Sequence, residues 1–258
     1  MGILNATPDS FFAGSRTFSE KTLLERAEKL LSEGAVILDI GGYSSRPGAT
    51  DIPAEEEKNR IVPAIKSLVQ KFPDVVISVD TFRADVAEEA IKAGAGIIND
   101  ISGGSIDGRM FATTAALQVP YILMHMRGTP QTMQTQTDYN DLMPELLTYF
   151  AEKTNALRQL GVNDIIIDPG FGFAKTVEQN YEVLQNLEAL QMLGLPILAG
   201  MSRKSMTYKT LGIGPEEALN GTTALNILAL TKGAKILRVH DVKEAVQTVK
   251  LYLKTTQP

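Results

Sequence analysis

The feature of the sequence that most constrains its fold is a regular alternation of strand-length apolar runs with helix-like patterns. Eight such runs start near Gly2, Ala35, Val75, Gly96, Pro120, Asp164, Leu195 and Ala234. Their spacing averages roughly thirty residues, which is the length of one strand–helix unit. Because the segments between the runs have helical periodicity, we expect a succession of βα units.

The first and last of these segments show the helical pattern clearly. Ser19 is a good N-cap residue, leucines and alanine from 23 to 31 share one helix face, and Gly34 ends the pattern. The last segment repeats this arrangement, with Asp241 and Glu244 at the spacing of a capping box. Both segments therefore predict helices that pack one apolar face against a sheet.

The length of the chain fits a closed barrel. At 258 residues it has a common size for an α/β barrel that folds as one unit. The alternation, with no second apolar core, predicts a single (β/α)8 TIM barrel domain over residues 1–258. An open, doubly wound parallel sheet is the alternative fold. In the barrel, the functional site lies at the C-terminal strand ends.

Charge and residue usage exclude several classes of protein. The net charge of -5 argues against a general nucleic-acid binder or a membrane-surface binder. The chain has no cysteine for a disulfide, a thiolate metal site or a nucleophile, and two histidines are too few for a multi-histidine site. We find no signal-peptide pattern and no transmembrane-length apolar run, so we expect a soluble, cytoplasmic protein.

The stretch Ile165–Lys175 indicates where a ligand binds. Three successive isoleucines favour a buried strand. Pro169 and Gly170 cannot continue that strand, because proline lacks an N–H and glycine favours turn conformations. Asp168 is therefore expected where a parallel strand meets its loop, which is the position at which α/β folds bind ligands.

Every predicted strand ends in polar residues, and all of these ends converge on one mouth in a barrel. The residues are Asn5, Asp39, Arg46, Asp80, Asn99, Asp100, His125, Asp168, Ser202, Arg203, Lys204, Arg238, His240 and Asp241. Any one of them could instead cap a helix or brace a turn. Their presence at every strand end is harder to explain in that way.

These residues divide by charge into two groups. Asp80, Asn99 and Asp168 suit a heterocycle that carries several N–H donors, such as a pterin. The positively charged group comprises Arg46, Arg203, Lys204, Arg238 and His240. Such a cluster on an acidic chain suits a phosphate or carboxylate ligand, unless its members neutralise the aspartates at 39, 100 and 241. We find no Walker motif, dinucleotide fingerprint or nucleophile elbow, which argues against ATP, NAD and acyl-enzyme chemistry.

Short motifs occupy these strand ends in order along the chain. They are Met1–Phe11, Asp39–Gly48, Ser78–Thr81, Ile98–Gly104, Leu123–Met126, Asp168–Phe173, Ser202–Ser205 and Arg238–Asp241. Together they resemble the motifs of the dihydropteroate synthase family, a group of pterin-binding TIM barrels. The resemblance implies an enzyme of folate biosynthesis and a sulfonamide target. In its reaction p-aminobenzoate displaces pyrophosphate from (7,8-dihydropterin-6-yl)methyl diphosphate. The resemblance further implies Mg²⁺ as cofactor and a homodimer.

The same resemblance implies roles for individual residues. The pterin side comprises Asp80, Asn99, Met124, Asp168, Phe173 and Gly200, with Lys204 reaching both pterin and p-aminobenzoate. The diphosphate side comprises Arg46, Arg238 and His240, with Asn5 as the magnesium ligand. The p-aminobenzoate side comprises Phe11, Ser45, Pro47 and Ser205. The catalytic residues are Asp80, Asp168, Lys204, Arg238 and His240.

The sequence departs from the family pattern in two loops. Ala13 follows Phe12 where the family usually continues with Ser-Asp-Gly-Gly, so a loop carboxylate is missing, although Asp9 lies nearby. In the second loop, Tyr43 stands where the family has glutamate, and Ser45 stands where it has threonine.

Two other interpretations stay open from the sequence. One is a pterin-binding barrel without synthase activity, either of the methyltetrahydrofolate-binding type or a degenerate paralogue. The cationic half of the mouth argues against it, because a diphosphate leaving group needs those cations and a binding module does not. The other is a barrel aldolase that forms a Schiff base on Lys204, which requires a desolvated lysine.

Overall fold

The computed structural model describes residues 1–6, 16–44 and 51–256, with side chains from residue 20 in the second range. Within these residues, strands and helices alternate as predicted. The strands are β1 (Gly2–Asn5), β2 (Ile37–Gly41), β3 (Val76–Asp80), β4 (Ile97–Asp100), β5 (Tyr121–Met124), β6 (Ile165–Asp168), β7 (Ile197–Ala199) and β8 (Ala234–Leu237). The helices are α1 (Arg16–Ser32), α2 (Ala54–Lys71), α3 (Ala84–Lys92), α4 (Met110–Leu117), α5 (Leu142–Gln159), α6 (Val177–Gln185), α7 (Ser205–Leu211), α8 (Leu219–Thr231) and α9 (Val242–Thr256).

The strands form one parallel sheet in the order β1 to β8. The last strand returns to the first, because Ile3 N donates to Val239 O at 2.9 Å and Val239 N donates to Met1 O at 3.0 Å. The sheet is therefore closed. The predicted (β/α)8 barrel is confirmed, and the alternative of an open, doubly wound sheet is wrong.

Side chains alternate between the two faces of each strand, which builds two apolar layers. The barrel interior is filled by Ile37, Ile97, Ile122, Ile166, Leu198 and Ile236. The residue that follows on each strand packs outward against the helices, as Leu38 does on β2 and Ile98 does on β4. This outer layer is the larger of the two, and it holds the helices on the barrel.

One unit departs from the simple alternation, because two helices follow β7. Gly212 has a φ of +66° and ends α7, and Pro215 begins a short 3-10 turn before α8. Glycine accepts a left-handed conformation at low cost, and proline cannot continue a helix, so these residues split the segment. Within the described ranges, none of the helices combines the length and hydropathy needed to cross a membrane.

Candidate active site

The strand alternation explains which strand-end residues face the barrel mouth. Two residues beyond each interior side chain, the chain again faces inward. On six strands this position holds Asp39, Asn99, Met124, Asp168, Gly200 and Arg238. Asp80 ends β3 next to them, since Gly41 of β2 pairs in register with it. Five of the residues predicted for the pterin, together with Arg238 of the predicted diphosphate group, therefore meet at one end of the barrel.

Arg238 lies at the centre of this arrangement and bridges two carboxylates. Its Nε donates to Asp39 Oδ2 and its Nη2 donates to Asp80 Oδ2, both at 2.6 Å. Asn99 adds to the same network by donating from Nδ2 to Asp39 Oδ2 at 3.1 Å. Asp39 is buried, so it serves as the internal anchor that orients Arg238 and Asn99.

Burial and neighbouring charges shift the pKa values in this network. Burial lowers the pKa of Arg238, but Asp39 and Asp80 outweigh that effect, and the pKa ends above its usual value. Burial raises the pKa of Asp80 to about 7, with Arg238 opposing the shift and Asp39 adding to it. The guanidinium is therefore a permanent cation, while Asp80 has a proton affinity that a bound ligand can alter.

Asp168, Lys204 and Gly200 form the second part of the mouth. Gly170 N donates to Asp168 Oδ1 at 2.8 Å, and Lys204 Nζ donates to Phe171 O at 2.5 Å. A Cβ added at Gly200 would lie 3.8 Å from Lys204 Nζ and 3.9 Å from Asp168 Oδ2. The bare backbone at this position therefore leaves the two charged groups open to a ligand.

Desolvation also governs these two charges. Burial raises the pKa of Asp168, and Lys204 is the largest influence that opposes it. Burial lowers the pKa of Lys204 to about 8, while Asp168 raises it. Each group therefore stabilises the charged form of the other, and both shift in the direction typical of functional sites.

An apolar wall stands beside the charged groups, and we name it the mouth cluster. Its buried members are Phe82, Ile101, Met124, Met126, Met133, Phe173 and Ala174. Lys204 Nζ lies 4.7 Å from the centroid of the Phe173 ring. Tyr43 packs against the same wall, edge-on to Phe82 with centroids 5.0 Å apart. The cluster gives the mouth an apolar surface next to hydrogen-bonding groups, and this combination suits a heterocyclic ligand.

His240 differs from the sequence expectation of a cation. Its Nδ1 lies 3.1 Å from Ser202 Oγ, and its backbone N donates to the same oxygen at 3.1 Å. Burial lowers the pKa of His240 to about 4, and Arg238 adds to that shift. The imidazole is therefore neutral near pH 7 without a ligand, and it offers hydrogen bonds where the sequence predicted a charge.

Three other charged candidates are engaged in contacts with protein groups outside the Arg238 network. Arg203 forms a two-pronged ion pair with Asp241, with Nε to Oδ2 at 2.8 Å and Nη2 to Oδ1 at 3.0 Å. Asp100 points outward and accepts from Tyr121 OH at 2.7 Å. The sequence alternative of internal neutralisation is therefore correct for Asp39 and Asp241, whereas Asp100 is held by a tyrosine.

Of the remaining predicted residues, two lie within the described ranges and the others do not. Asn5 ends β1 and Ser205 begins α7, and both are half-buried. Phe11, Ser45, Arg46 and Pro47 lie outside the described residues, as do Asp9, Phe12 and Ala13. The roles implied for them by the family resemblance stay predictions.

Lys175 and His125 form a buried pair to which the sequence assigned no role together. Lys175 Nζ lies 3.0 Å from His125 Nδ1, and both side chains are buried. Burial lowers the pKa of Lys175 to about 7, and Asp168 raises it. A lysine two residues after the Phe171-Gly172-Phe173 segment and directly before the helix-capping Thr176 is the signal that could have identified this position.

Among the described residues, no cluster of three or more histidines, aspartates or glutamates is placed to hold a metal ion. Asp39 is already shared by Arg238 and Asn99. Asn5 offers one neutral oxygen at the strand end. This donor set fits a magnesium ion that takes most of its ligands from phosphate oxygens and water, as Mg²⁺ commonly does.

Fold and site together define an α/β-barrel enzyme whose mouth suits a planar heterocycle next to an anion. The chain matches the family described as pterin binding enzyme over residues 1–240. It is 46% identical to the dihydropteroate synthase of Synechocystis over 254 residues, or 97% of this chain and 88% of that protein.

Solved structures agree with this assignment. The Yersinia pestis dihydropteroate synthase in a sulfonamide complex superimposes with a TM-score of 0.93 at 41% identity, covering 100% of this chain and 94% of that one. The Xanthomonas albilineans dihydropteroate synthase with 4-aminobenzoic acid superimposes with a TM-score of 0.92 at 38% identity, covering 100% of this chain and 93% of that one. The chain therefore belongs to the pterin-binding enzymes and, within them, to the dihydropteroate synthases.

Proposed function

We propose that this enzyme condenses p-aminobenzoate with (7,8-dihydropterin-6-yl)methyl diphosphate to give 7,8-dihydropteroate and pyrophosphate. In this reaction the bond between the methylene carbon and the diphosphate oxygen breaks, a carbon–nitrogen bond forms, and the aromatic amine loses a proton. The observation that carries the proposal is the position of Arg238. It is anchored by Asp39 and Asp80 beside the Asp168–Lys204 pair and close to an apolar wall.

The pterin ring is assigned to the inner part of the mouth. Asp168 uses Oδ1 to accept from Gly170 N, and its Oδ2 lies close to the open space at Gly200. Asn99 donates from Nδ2 to Asp39, so its amide oxygen is the atom that can accept from a ligand. Together with Asp80 these groups supply acceptors for the N–H edge of a pterin, while the mouth cluster covers its face.

The diphosphate is assigned to the outer, cationic part. Arg238 supplies a permanent charge there, Lys204 supplies a second one, and His240 supplies a neutral imidazole near pH 7. Arg46 is proposed as a further cation. Asn5 would hold Mg²⁺, which, when bound, neutralises negative charge on the diphosphate oxygens. These fixed groups stabilise charge that increases as the leaving group departs.

Two carboxylates favour positive charge on the pterin. A methylene carbon attached to an electron-rich dihydropterin can lose pyrophosphate first, which leaves a delocalised cation for the weakly nucleophilic amine to capture. Asp80 ends β3 and Asp168 ends β6, and in the proposed pose their negative charge stabilises that cation. In this proposal the carboxylates favour positive charge on the pterin, and the neighbouring cations favour negative charge on the leaving group.

Further properties are proposed from the family alone. Phe11, Ser45, Pro47 and Ser205 would surround p-aminobenzoate, with Lys204 between the two substrates. A homodimer and a cytoplasmic location are also proposed, and we expect no nucleic-acid or membrane partner.

A coupled assay for pyrophosphate release tests the proposed function. The full chain is incubated with Mg²⁺ and dihydropterin diphosphate, with and without p-aminobenzoate. We expect release that depends on p-aminobenzoate and yields dihydropteroate in equal amount. Binding of the pterin without any release would contradict the proposal and favour a binding protein.

A further inference from the structure

The loop after β6 closes around the ammonium group of Lys175. Lys175 Nζ donates to Gly170 O at 3.3 Å and to Phe173 O at 3.2 Å, and lies 3.0 Å from His125 Nδ1. The amino group of Lys175 thus has three polar partners, two backbone carbonyls to which it donates and one histidine nitrogen. The side chain therefore ties both ends of the Gly170–Phe173 turn to the residue that follows β5.

The backbone that Lys175 holds has an unfavourable conformation. Ala174 has a φ of +48° and is fully buried, although left-handed conformations are costly for residues with a Cβ. Tyr139 OH donates to Ala174 O at 2.8 Å, so the loop between β5 and α5 also holds this segment. A strained backbone persists only where its surroundings hold it firmly, and such segments concentrate at functional sites.

The charge of Lys175 is buried without a direct ion pair. Among the described residues no carboxylate is bound to its Nζ, and burial of a lone cation is unfavourable. The charged and titratable groups that face it are His125, Arg127, Asp168 and Lys204. Lys175 is among the charges that lower the pKa of Asp168 against the effect of burial. The buried cation therefore acts on the carboxylate that we assign to the pterin.

These contacts connect Lys175 to two pterin-site residues without placing it in the mouth. Asp168 accepts from Gly170 N, and the Phe173 ring belongs to the mouth cluster. Lys175 binds the carbonyl oxygens of those same two residues, Gly170 and Phe173. A substitution of Lys175 should therefore disturb both Asp168 and the Phe173 ring of the mouth cluster.

We propose that Lys175 is a positioning residue for the pterin. Its buried ammonium fixes the turn from Gly170 to Phe173 against His125, and thereby holds Asp168 and the Phe173 ring in their binding geometry. This inference rests on the proposed function, because it takes the pterin to be the ligand of Asp168.

The test compares Lys175→Met with the wild-type enzyme while each substrate is varied separately. We expect the KM for dihydropterin diphosphate to rise about tenfold or more, as is typical when hydrogen bonds from a charged group are lost. The KM for p-aminobenzoate should change by less than about twofold, because Lys175 does not line its predicted site. Lys66→Met, the same change at an exposed position, is the matched control and should behave as wild type.

A merely structural role would give a different pattern. It would lower the folded fraction, measured by circular dichroism, and leave both KM values at their wild-type levels, which would overturn the inference. If Lys175→Met does not fold, the KM values of His125→Leu and His125→Gln for the pterin substrate test the inference instead. The leucine removes the polar partner of Lys175 and should raise the KM for the pterin substrate, whereas glutamine restores a hydrogen-bonding partner and should keep that KM near wild type. Equal values for these two variants would overturn the inference.

Failure of the inference can be separated from failure of the proposed function. Wild-type enzyme that releases no pyrophosphate would contradict the proposed function alone. Calorimetric titration of wild type and Lys175→Met with an unreactive pterin still tests the inference in that case. We expect weaker pterin binding by the variant, and equal binding would overturn the role of Lys175.

Discussion

Arg238 donates from Nε to Asp39 Oδ2 over 2.6 Å, across 199 positions of sequence. The side chain of Asp39 is fully buried, and that of Arg238 is 19% exposed. The contact joins the residue that follows β8 to the middle residue of β2. Because a buried carboxylate is costly without its cation, one interaction links the geometry of the proposed active site to the stability of the fold.

The first prediction concerns stability. We expect Arg238→Ala to lower the free energy of unfolding by about 3–5 kcal/mol, since it leaves Asp39 as an uncompensated buried charge. Adding Asp39→Asn to that variant should recover part of the loss. Urea denaturation followed by circular dichroism measures both effects. Arg109→Ala is the control, because its side chain is 64% exposed and exposed ion pairs contribute little to stability. Equal losses for the two arginines would contradict the prediction.

The second prediction concerns the rate of the same variant. Loss of one preorganised donor to a leaving group typically lowers turnover by roughly 100- to 1000-fold. We expect a decrease of that size in the turnover of folded Arg238→Ala, with a much smaller change in affinity for an unreactive pterin. The rate is measured as pyrophosphate release per folded molecule. If Arg238 only stabilised the fold, the rate per folded molecule would stay at the wild-type value.

The fold, and the strand-end residues that face the barrel interior, could be predicted from the sequence. The alternation of apolar runs with helical patterns predicted the closed barrel. Two-residue periodicity places Asp168 two positions after Ile166, and Arg238 two positions after Ile236, on the inner face. Local rules were sufficient here, because the direction of a side chain on a strand depends only on its position along that strand.

The pairing of charges across the mouth could not be predicted in the same way. Asp241 lies three residues from Arg238, yet it binds Arg203, while Arg238 reaches Asp39 and Asp80. These choices depend on strand register and on the left-handed backbone of Arg203, which has a φ of +54°. The neutral state of His240 near pH 7 depends on burial, which the sequence alone does not quantify.

The third prediction concerns pterin affinity. Asp168→Asn keeps an oxygen that can accept from Gly170 N but removes the charge that attracts the pterin N–H edge. We expect the affinity to fall by about 1.5–3 kcal/mol, which is the usual value of a hydrogen bond to a charged group. Calorimetric titration with an unreactive pterin measures it. Asp164→Asn, the same change on the exposed approach to β6, should leave affinity unchanged. Wild-type affinity in Asp168→Asn would show that this carboxylate does not bind the pterin.

The fourth prediction concerns pH and His240. Its pKa is about 4 in the folded protein, compared with 6.5 for an unperturbed histidine. Between these values the unfolded chain binds more protons, so the contribution of His240 to stability is complete above about pH 6.5 and is lost as pH falls through 4.

The loss attributable to His240 should be on the order of 1–3 kcal/mol, since one pKa unit corresponds to about 1.4 kcal/mol. His240→Gln does not titrate, so it should lose less stability than wild type between pH 7 and pH 4. Urea midpoints at both pH values measure the difference. Lys243→Gln, an exposed change nearby, should keep the wild-type dependence. If the stability of His240→Gln depends on pH as that of the wild type does, protonation of His240 does not contribute to the loss of stability at low pH.

The fifth prediction concerns Lys204, whose environment invites a covalent interpretation. Burial lowers its pKa to about 8, which is the desolvation that a Schiff-base lysine requires. Its contacts favour the other role, because Nζ donates to Phe171 O at 2.5 Å and lies 4.7 Å from the centroid of the Phe173 ring. Both contacts stabilise an ammonium, and a group with a pKa near 8 is mostly protonated at pH 7.

We therefore expect Lys204 to act as a fixed positive charge between the two substrates. Lys204→Arg should keep measurable turnover, because it preserves the charge, whereas Lys204→Met should lose far more. Treatment with borohydride during turnover, followed by intact-mass measurement, should show no added mass, and an aldolase that forms a Schiff base is the positive control. Substrate trapped on Lys204, together with an inactive Lys204→Arg, would establish covalent catalysis. A protonated amine is not nucleophilic, so a lysine held as an ammonium should form no covalent bond to either substrate.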